Sequence, residues 1–440
     1  MKKIMILGIG PIAIDPAEKF HSGGNRAWHL TRPLLERGFE VILLCMRITD
    51  KSRKDALEEE CRREDGLTYY QVDELTRFAD DAYLKEKIAQ HRPDALIGAC
   101  AYPAARAARV ASDLPVWADI HGYPLGEAQA KAHQAGEDGY VHHFWNIVRP
   151  ALQRADRFSV TSERQRMALI GELGAMGRLN QHTFAENLVT QIPIALDDAI
   201  PYLARERKKE EPLVVFFSGG YNNWLDVDTL YNALELAMEQ DSRIRFLSTG
   251  GAIDGHDEVT YPRFLERVKG SRFASGYEMR GWVSREHLAE CQARAHLGIN
   301  VDRPCYETLI GARNRITEFM ARGIPVLSTL GTEISQILFY KGVILTVPMS
   351  NPRALANEMI LAANHPEKMK KMAEEARRLF EQQYTYAHTV QELVQWCENP
   401  VHSGDFGKPP VLLDYSPFGV EPRREGRLAK RFLKIFRSTS

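Results

Sequence analysis

Twelve short apolar runs, in two series of six, alternate with helix-period segments along this chain, and that alternation constrains its fold more than any other feature. The first series is Lys3–Leu7, Glu40–Cys45, Tyr69–Val72, Ala95–Ala99, Val116–Ile120 and Phe158–Thr161. The second is Leu213–Ser218, Ile244–Ser248, Glu278–Val283, Leu297–Val301, Pro325–Ser328 and Val343–Val347. Amphipathic stretches such as Asn25–Arg37, Leu84–His91, Glu163–Leu173, Asp226–Glu239 and Arg285–Arg294 lie between them. Near-continuous apolar strands separated by helices make βα units, whose parallel sheets are covered on both faces. The expected fold is therefore α/β, with two Rossmann-like, doubly wound domains at 1–202 and 212–383. The stretch 203–211 between them is almost wholly charged and reads as a linker. Asn351–Glu398 reads as three successive helices, with 384–398 crossing back to the first domain. From 399 onward, Pro and Gly punctuate a tail that ends in the basic stretch Arg423–Arg437.

Composition removes several function classes. The chain's 440 residues exceed what one compact core holds. Its 57 Lys and Arg against 58 Asp and Glu leave no basic surplus for a nucleic-acid partner. No run approaches the roughly 18 apolar residues of a membrane helix. The six cysteines, Cys45, Cys61, Cys100, Cys291, Cys305 and Cys397, form no CxxC pair, which speaks for a reducing compartment and against a disulfide framework or zinc site. Met1–Leu7 reads as a buried first strand rather than a signal peptide, because Gly8, Gly10 and Pro11 interrupt it. The expectation is a cytoplasmic protein.

Several motifs carry chemistry. Gly8-Ile9-Gly10-Pro11-Ile12-Ala13 fits a dinucleotide fingerprint in letters, yet Pro11 and Pro16 extend the loop where a helix should open. The helix is expected after His21-Ser22-Gly23-Gly24-Asn25, where Gly23 and Gly24 would let an anion approach a helix N-terminus. The other reading is a capped loop. Ser218-Gly219-Gly220-Tyr221 repeats that arrangement in the second domain. Asp226-Val227-Asp228 resembles a metal-binding pair, but acids in a first helical turn also serve as caps, and capping is preferred. Arg313, Asn314 and Arg315 crowd a helix start, where cations oppose the dipole unless an anionic ligand sits there. Their alternative is solvent, or pairing with acids such as Glu307 and Glu318. Glu318, on a largely apolar helix, is either a surface position or a hydroxyl acceptor.

The stretch Thr317–Thr329 resembles the E-A-M-A-x-G-x-P-V-I segment of glycosyltransferases with the GT-B fold, family 4 (glycosyl transferases group 1) especially. Gly331-Thr332-Glu333-Ile334 and Gly342–Pro348 are similar to that segment's continuation. Gly281-Trp282-Val283-Ser284 resembles the strand end whose backbone holds the nucleobase. Gly23-Gly24 matches the loop facing the donor phosphates, and Asp119-Ile120-His121-Gly122 the family's His-containing turn. Two positions depart from the pattern. The family's other Glu, eight residues before the one matched by Glu318, falls on Ile310, and Tyr221–Trp224 stand where a phosphate-binding Arg or Lys is expected.

The resemblance implies two domains facing across a cleft and transfer of a sugar from a nucleotide-sugar donor to a glycan, lipid-linked or small-molecule acceptor, without a metal or other cofactor. Glu318 would hold the ribose. Trp282 and Val283 would flank the base. Gly23, Gly24, Gly219 and Gly220, with Arg313, Asn314 and Arg315, would meet the diphosphate. His121 would orient a sugar hydroxyl or assist the acceptor, though a lone His at a strand end is more often structural. A nucleotide-sugar epimerase and a non-catalytic glycan- or partner-binding subunit stay open as readings. Independently of the family, Leu428, Phe432, Ile435 and Phe436 make one apolar stripe among seven cations in 423–437, the pattern of an anchor on the inner, anionic face of a membrane.

Overall fold

The structure is a computed structural model that describes residues 2–15, 22–47, 58–203 and 206–408. The basic segment 423–437 lies outside the described residues. The first unit opens with β1 (Lys3–Gly10), α1 (Ser22–Glu36), β2 (Glu40–Arg47), β3 (Glu59–Glu64) and β4 (Leu67–Asp73). It continues through α2 (Asp81–His91), β5 (Ala95–Ala99), α3 (Ala101–Val110), β6 (Val116–Ile120) and α4 (Pro124–Ala135). It closes with α5 (Gly139–Arg154), β7 (Arg157–Val160), α6 (Glu163–Ala175) and β8 (Val189–Gln191). These eight strands form one sheet in the order β3-β4-β2-β1-β5-β6-β7-β8.

The second unit begins with β9 (Leu213–Phe217), α7 (Val227–Gln240), β10 (Ile244–Ser248), α8 (Thr260–Lys269) and β11 (Tyr277–Met279). Next come α9 (Arg285–Ala293), β12 (Leu297–Asn300), α10 (Tyr306–Ile310), α11 (Asn314–Arg322) and β13 (Val326–Thr329). It ends with α12 (Glu333–Tyr340), β14 (Leu345–Val347), α13 (Pro352–Asn364) and α14 (Pro366–Gln383). Its six strands pair in the order β11-β10-β9-β12-β13-β14, all parallel. Two short helices, α15 (Tyr386–Thr389) and α16 (Gln391–Glu398), complete the described elements.

Strand residues alternate between faces, so a sheet buried on both sides needs apolar side chains throughout. In β1, Met5 and Leu7 enter one core while Ile4 and Ile6 enter the other. In β9, Val215 and Phe217 face one core and Phe216 the opposite one. Helix ends follow their side chains: Ser162, Asp226, Ser284 and Thr332 each accept a first-turn N–H, and Gly323 in the left-handed region ends α11. Leu393, Val394, Trp396 and Cys397 of α16 sit in the core of the first unit, with Trp396 edge-on to Trp117 at 5.5 Å.

Four features differ from the sequence expectations. The β3–β4 pair is antiparallel, joined through Asp65-Gly66, a favoured hairpin turn. Glu59–Glu64 has no apolar alternation and owes its strand form to pairing with β4. The region 203–211 is packed at Arg207, whose guanidinium is buried and donates to the Ala362 and Ala363 carbonyls. Four helices rather than three follow Asn351, because Tyr384 and Val390 break the run. Finally, α1 starts at Ser22, so Gly23 and Gly24 form its first turn instead of a loop before it. The reason is a close approach: a Cβ on Gly24 would stand 1.9 Å from the Pro11 carbonyl oxygen.

Gly24→Ala is accordingly expected to destabilise the chain by about 1–3 kcal/mol, the usual cost of forced overpacking. Urea denaturation measures it, and an unchanged midpoint would show that the Ile9–Pro11 segment yields freely.

Candidate functional site

Counting strands as they appear in the second unit, the sheet order is 3-2-1-4-5-6. Chain connections leave β9 and β12 in opposite directions, and a crevice opens beyond their C-terminal ends. Arg315, in the first turn of α11, spans this point. Its Nε donates to the Ser218 carbonyl at 2.7 Å, just past β9, and its Nη1 to Asn300 Oδ1 at 3.0 Å, on β12. The guanidinium lies 3.8 Å over the Phe217 ring. Its other three N–H groups have no partner among the described residues, and no carboxylate pairs with it there. Nη2 stands 3.9 Å from where Gly219 would carry a Cβ. The Gly220 N–H is also without a partner among the described residues. Burial lowers the Arg315 pKa to about 10, which still leaves it cationic at neutral pH. A fixed cation beside free N–H donors is an anion site.

Arg313 is different and corrects the sequence expectation. All five of its N–H groups are used. Nε meets Asp302 at 2.8 Å, Nη1 meets Glu307 at 2.9 Å and the Ala312 carbonyl, and Nη2 meets Glu307 at 2.7 Å and Thr308. The three charged side chains are buried together, so this guanidinium has nothing left to offer a ligand. Glu307 is spent in the same way. Asn314 is exposed at the first position of α11 and makes no hydrogen bond among the described residues.

Glu318 lies one turn beyond Arg315, half-buried, and accepts from Gln292 Nε2 at 2.6 Å. Its remaining lone pairs are open to hydroxyl donors. Trp282 donates from Nε1 to the Ala252 carbonyl at 2.8 Å and stands 3.9 Å from a Cβ on Gly220. Trp282 thus borders the glycine loop from the β11 side, and half-buried Val283 follows it. The cation expected after Gly220 is absent for a packing reason. Tyr221 is buried among Phe217, Tyr261 and Phe264, with its hydroxyl bonded to Ser248. Asp226 caps α7 through Thr229, and Asp228 pairs with Arg263 and Arg267, so that pair of acids is occupied without a metal. Among the described residues no group of His, Cys, Asp or Glu is arranged for a metal ion.

The first unit presents the other wall. Arg26 of α1 and Asp119 of β6 make a buried two-pronged ion pair at 2.6 and 3.0 Å, which ties the start of α1 to the end of β6. Burial works against the Asp119 carboxylate, but Arg26 holds its pKa below the usual range. Just beyond, burial and then Arg26 hold the His121 pKa down to about 4, so the ring is neutral at physiological pH. Its Nδ1 is buried without a hydrogen-bond partner. Gln165 fixes the turn by donating to the carbonyls of Ile120 and Gly122.

The two walls meet along a defined seam. Glu333 accepts from the Glu163 and Arg164 N–H groups at 2.9 and 2.7 Å, at the start of α6. Ser162 donates to the Ile310 carbonyl at 3.1 Å and Lys131 to that of His256 at 2.8 Å. Arg285 of α9 reaches the Ala13 carbonyl after β1 at 2.5 Å. Sequence reasoning missed Asn300, Asp302 and Arg26, because their roles depend on partners brought close only by the sheets.

Comparison with known proteins agrees with this geometry. Residues 23–178 match the family model Glycosyltransferase Family 4, and residues 233–395 match Glycosyl transferase-like. No curated protein sequence matches the chain. Among solved structures, a sucrose-phosphate synthase from Thermosynechococcus elongatus is similar at TM-score 0.70 and 16% identity, over 90% of this chain and 98% of that one. HepE of Anabaena in complex with UDP-glucose is similar at TM-score 0.65 and 16% identity, over 90% and 100%. An α,α-trehalose-phosphate synthase (UDP-forming) from Burkholderia vietnamiensis gives 0.64 and 12%, over 90% and 100%. At these identities the likeness concerns the fold.

Arg313→Ala is expected to cost about 3–5 kcal/mol of stability, since it strands two buried carboxylates. Arg315→Ala, which breaks bonds only to neutral acceptors, should cost less than half of that. Chemical denaturation of both variants checks the contrast, and equal losses would contradict it.

Proposed function

We propose that this chain, a glycosyltransferase of the GT-B fold, takes a hexose from a UDP-linked donor bound on its second domain and passes it to an acceptor seated on the first. The observation that carries this reading is Arg315: a half-buried cation bridging the two strand ends of the crevice, without a carboxylate partner among the described residues. A diphosphate between Arg315 and the Gly219–Gly220 loop would complete its charge. Glu318 would accept from the ribose hydroxyls, with Trp282 and Val283 bordering the base. HepE of Anabaena, of the same fold and solved in complex with UDP-glucose, supports uracil as that base.

The chemistry needs little more than placement. An acceptor hydroxyl oxygen bonds to the sugar's anomeric carbon, the bond from that carbon to the β-phosphate oxygen breaks, UDP departs with the electron pair, and the hydroxyl's proton passes to the departing phosphate. The developing charge is met by Arg315, by the Gly220 N–H and, from the facing domain, by the N-terminal turn of α1 at Gly23 and Gly24. Fixed dipoles and a fixed cation do this without a metal. Neutral His121 is suited to a hydroxyl of the sugar or acceptor. The acceptor is a glycan, lipid-linked or small-molecule hydroxyl, which makes glycan assembly the natural setting. Glu318→Ala is expected to lose roughly 2–4 kcal/mol of UDP-glucose affinity in a folded protein. Arg315→Ala should weaken UDP itself. Calorimetric titration reads both, and an unchanged Kd in either variant would remove that residue from the site.

The tail fits a second, peripheral element of the same reading. The described chain ends at Lys408, close to where Asp405 pairs with Arg178 and the Gly404 N–H meets Glu186. The neighbouring loop exposes Leu179 and Phe184. A basic amphipathic segment such as 423–437 would bring the protein to an anionic lipid surface, at about 1 kcal/mol per cation. The full chain should sediment with anionic vesicles at low salt, and a chain truncated after Pro422 should not. Equal recovery of the two refutes the anchor.

A further inference from the structure

Glu127 stands in the first turn of α4, the helix that begins just past the His121–Gly122 turn. Its carboxyl leans back over that turn, with one oxygen 2.9 Å from where a Cβ on Gly122 would be. On the other side is α10 of the second domain. The two elements approach so closely that a Cβ on Gly126 would lie 3.1 Å from the Glu307 backbone, a contact that would make one of them give. The Glu127 carboxyl therefore hangs between the β6 turn of one domain and the α10–α11 connection of the other.

In that gap it makes no hydrogen bond and no ion pair among the described residues. The charges around it are accounted for. Glu307 and Arg313, across the gap, are locked to each other. Lys131, one turn further along α4, sends its ammonium to the His256 carbonyl. The carboxyl is half-buried at the cleft, so its oxygens are open to a ligand as well as to water. His121, in the adjoining turn, adds a buried Nδ1 without a hydrogen-bond partner. Burial, and after it the negative charge of Glu307, push the Glu127 pKa up to about 8. Near neutral pH the group thus carries its proton. It can donate one hydrogen bond and accept others, and it does not repel a nearby diphosphate. That chemistry suits the hydroxyls of a sugar.

Its position suits the donor's sugar in particular. Glu127 senses the charges of Glu307 and Arg313 across the gap, and Arg313 lies two residues before Arg315, so a hexose on a diphosphate held at Arg315 would have this carboxyl in its surroundings. On the second domain, Ile310 stands where the resembled family carries an acid. We propose that Glu127 supplies the missing carboxyl from the opposite domain and grips the donor hexose through its hydroxyls, so that sugar binding spans both domains. This rests on the donor reading above.

Titration calorimetry of the full chain with UDP and with UDP-glucose tests it, with thermal melting to verify folding. The wild type is expected to bind UDP-glucose more tightly than UDP. Glu127→Ala should bind UDP within twofold of the wild type but UDP-glucose at least tenfold more weakly. Glu127→Gln, neutral and of the same shape, should recover most of the loss. The assignment is overturned if Glu127→Ala binds UDP-glucose normally, if its UDP affinity falls in parallel, or if the wild type gains nothing from the glucose. A wild type that binds neither compound defeats the donor reading instead, and the missing UDP signal tells that failure apart.

Discussion

A guanidinium drawn into protein is neutralised internally or left for a ligand, and the start of α11 carries two of them two residues apart, Arg313 buried and Arg315 half-buried. Arg313 precedes the helix in extended backbone while Arg315 lies in its first turn, so they meet different surroundings. Arg313 turns toward Asp302 and Glu307, and the cluster ties β12, α10 and α11 into one rigid block. Arg315 turns toward the strand ends and finds only the neutral oxygens of Ser218 and Asn300. Two cations at a helix N-terminus also oppose its dipole, a cost that one internal pairing offsets only in part. The shape of the crevice follows from that asymmetry. Asn300 links both sides, since its amide donates to Asp302 while its oxygen accepts from Arg315.

The crevice becomes a cleft because a second domain is held over it at a set distance. The seam has two kinds of contact. At the front, side chains reach across: Glu333 to the start of α6, Lys131 to His256, Arg285 to Ala13. At the back, the two chain crossings lie side by side and exchange backbone bonds, with the Leu196 N–H on the Tyr384 carbonyl and the Tyr386 N–H on that of Leu196. A relative rotation that breaks the front contacts and keeps the back ones turns about residues 196 and 384–386. Only a few bonds need to change, as in hinge motions generally.

Much of this was legible in the sequence, and the boundary is physical. Period-two and period-3.6 patterns come from local burial, so most strands of both sheets, and the cap Asp226, could be read directly. The helix stop at Gly323 and the anion-prone glycine loop at Gly219 were equally local. The partnership of Arg313 with Asp302 was not, because eleven residues and a strand end separate them. Glu307 was named as a partner for these arginines, yet nothing in the chain order said which one would take it. Glu127 drew no reading from the sequence, and what sets it apart is α10, 180 residues later. The hairpin strand Glu59–Glu64 escaped detection because it buries too little to show a pattern.

That same strand bears on how the protein behaves in a crowded solution. An eight-stranded sheet has two outer strands whose unpaired backbone groups could recruit another chain. One is β3, whose sequence Glu59-Glu60-Cys61-Arg62-Arg63-Glu64 mixes five charges of both signs into six residues. A second strand laid against it would have to desolvate those charges. The other is β8, three residues long, with Thr190 hydrogen-bonded to Glu392 of α16. The sheet is thus closed to edge-to-edge association by charge at one margin, and by brevity and a covering helix at the other.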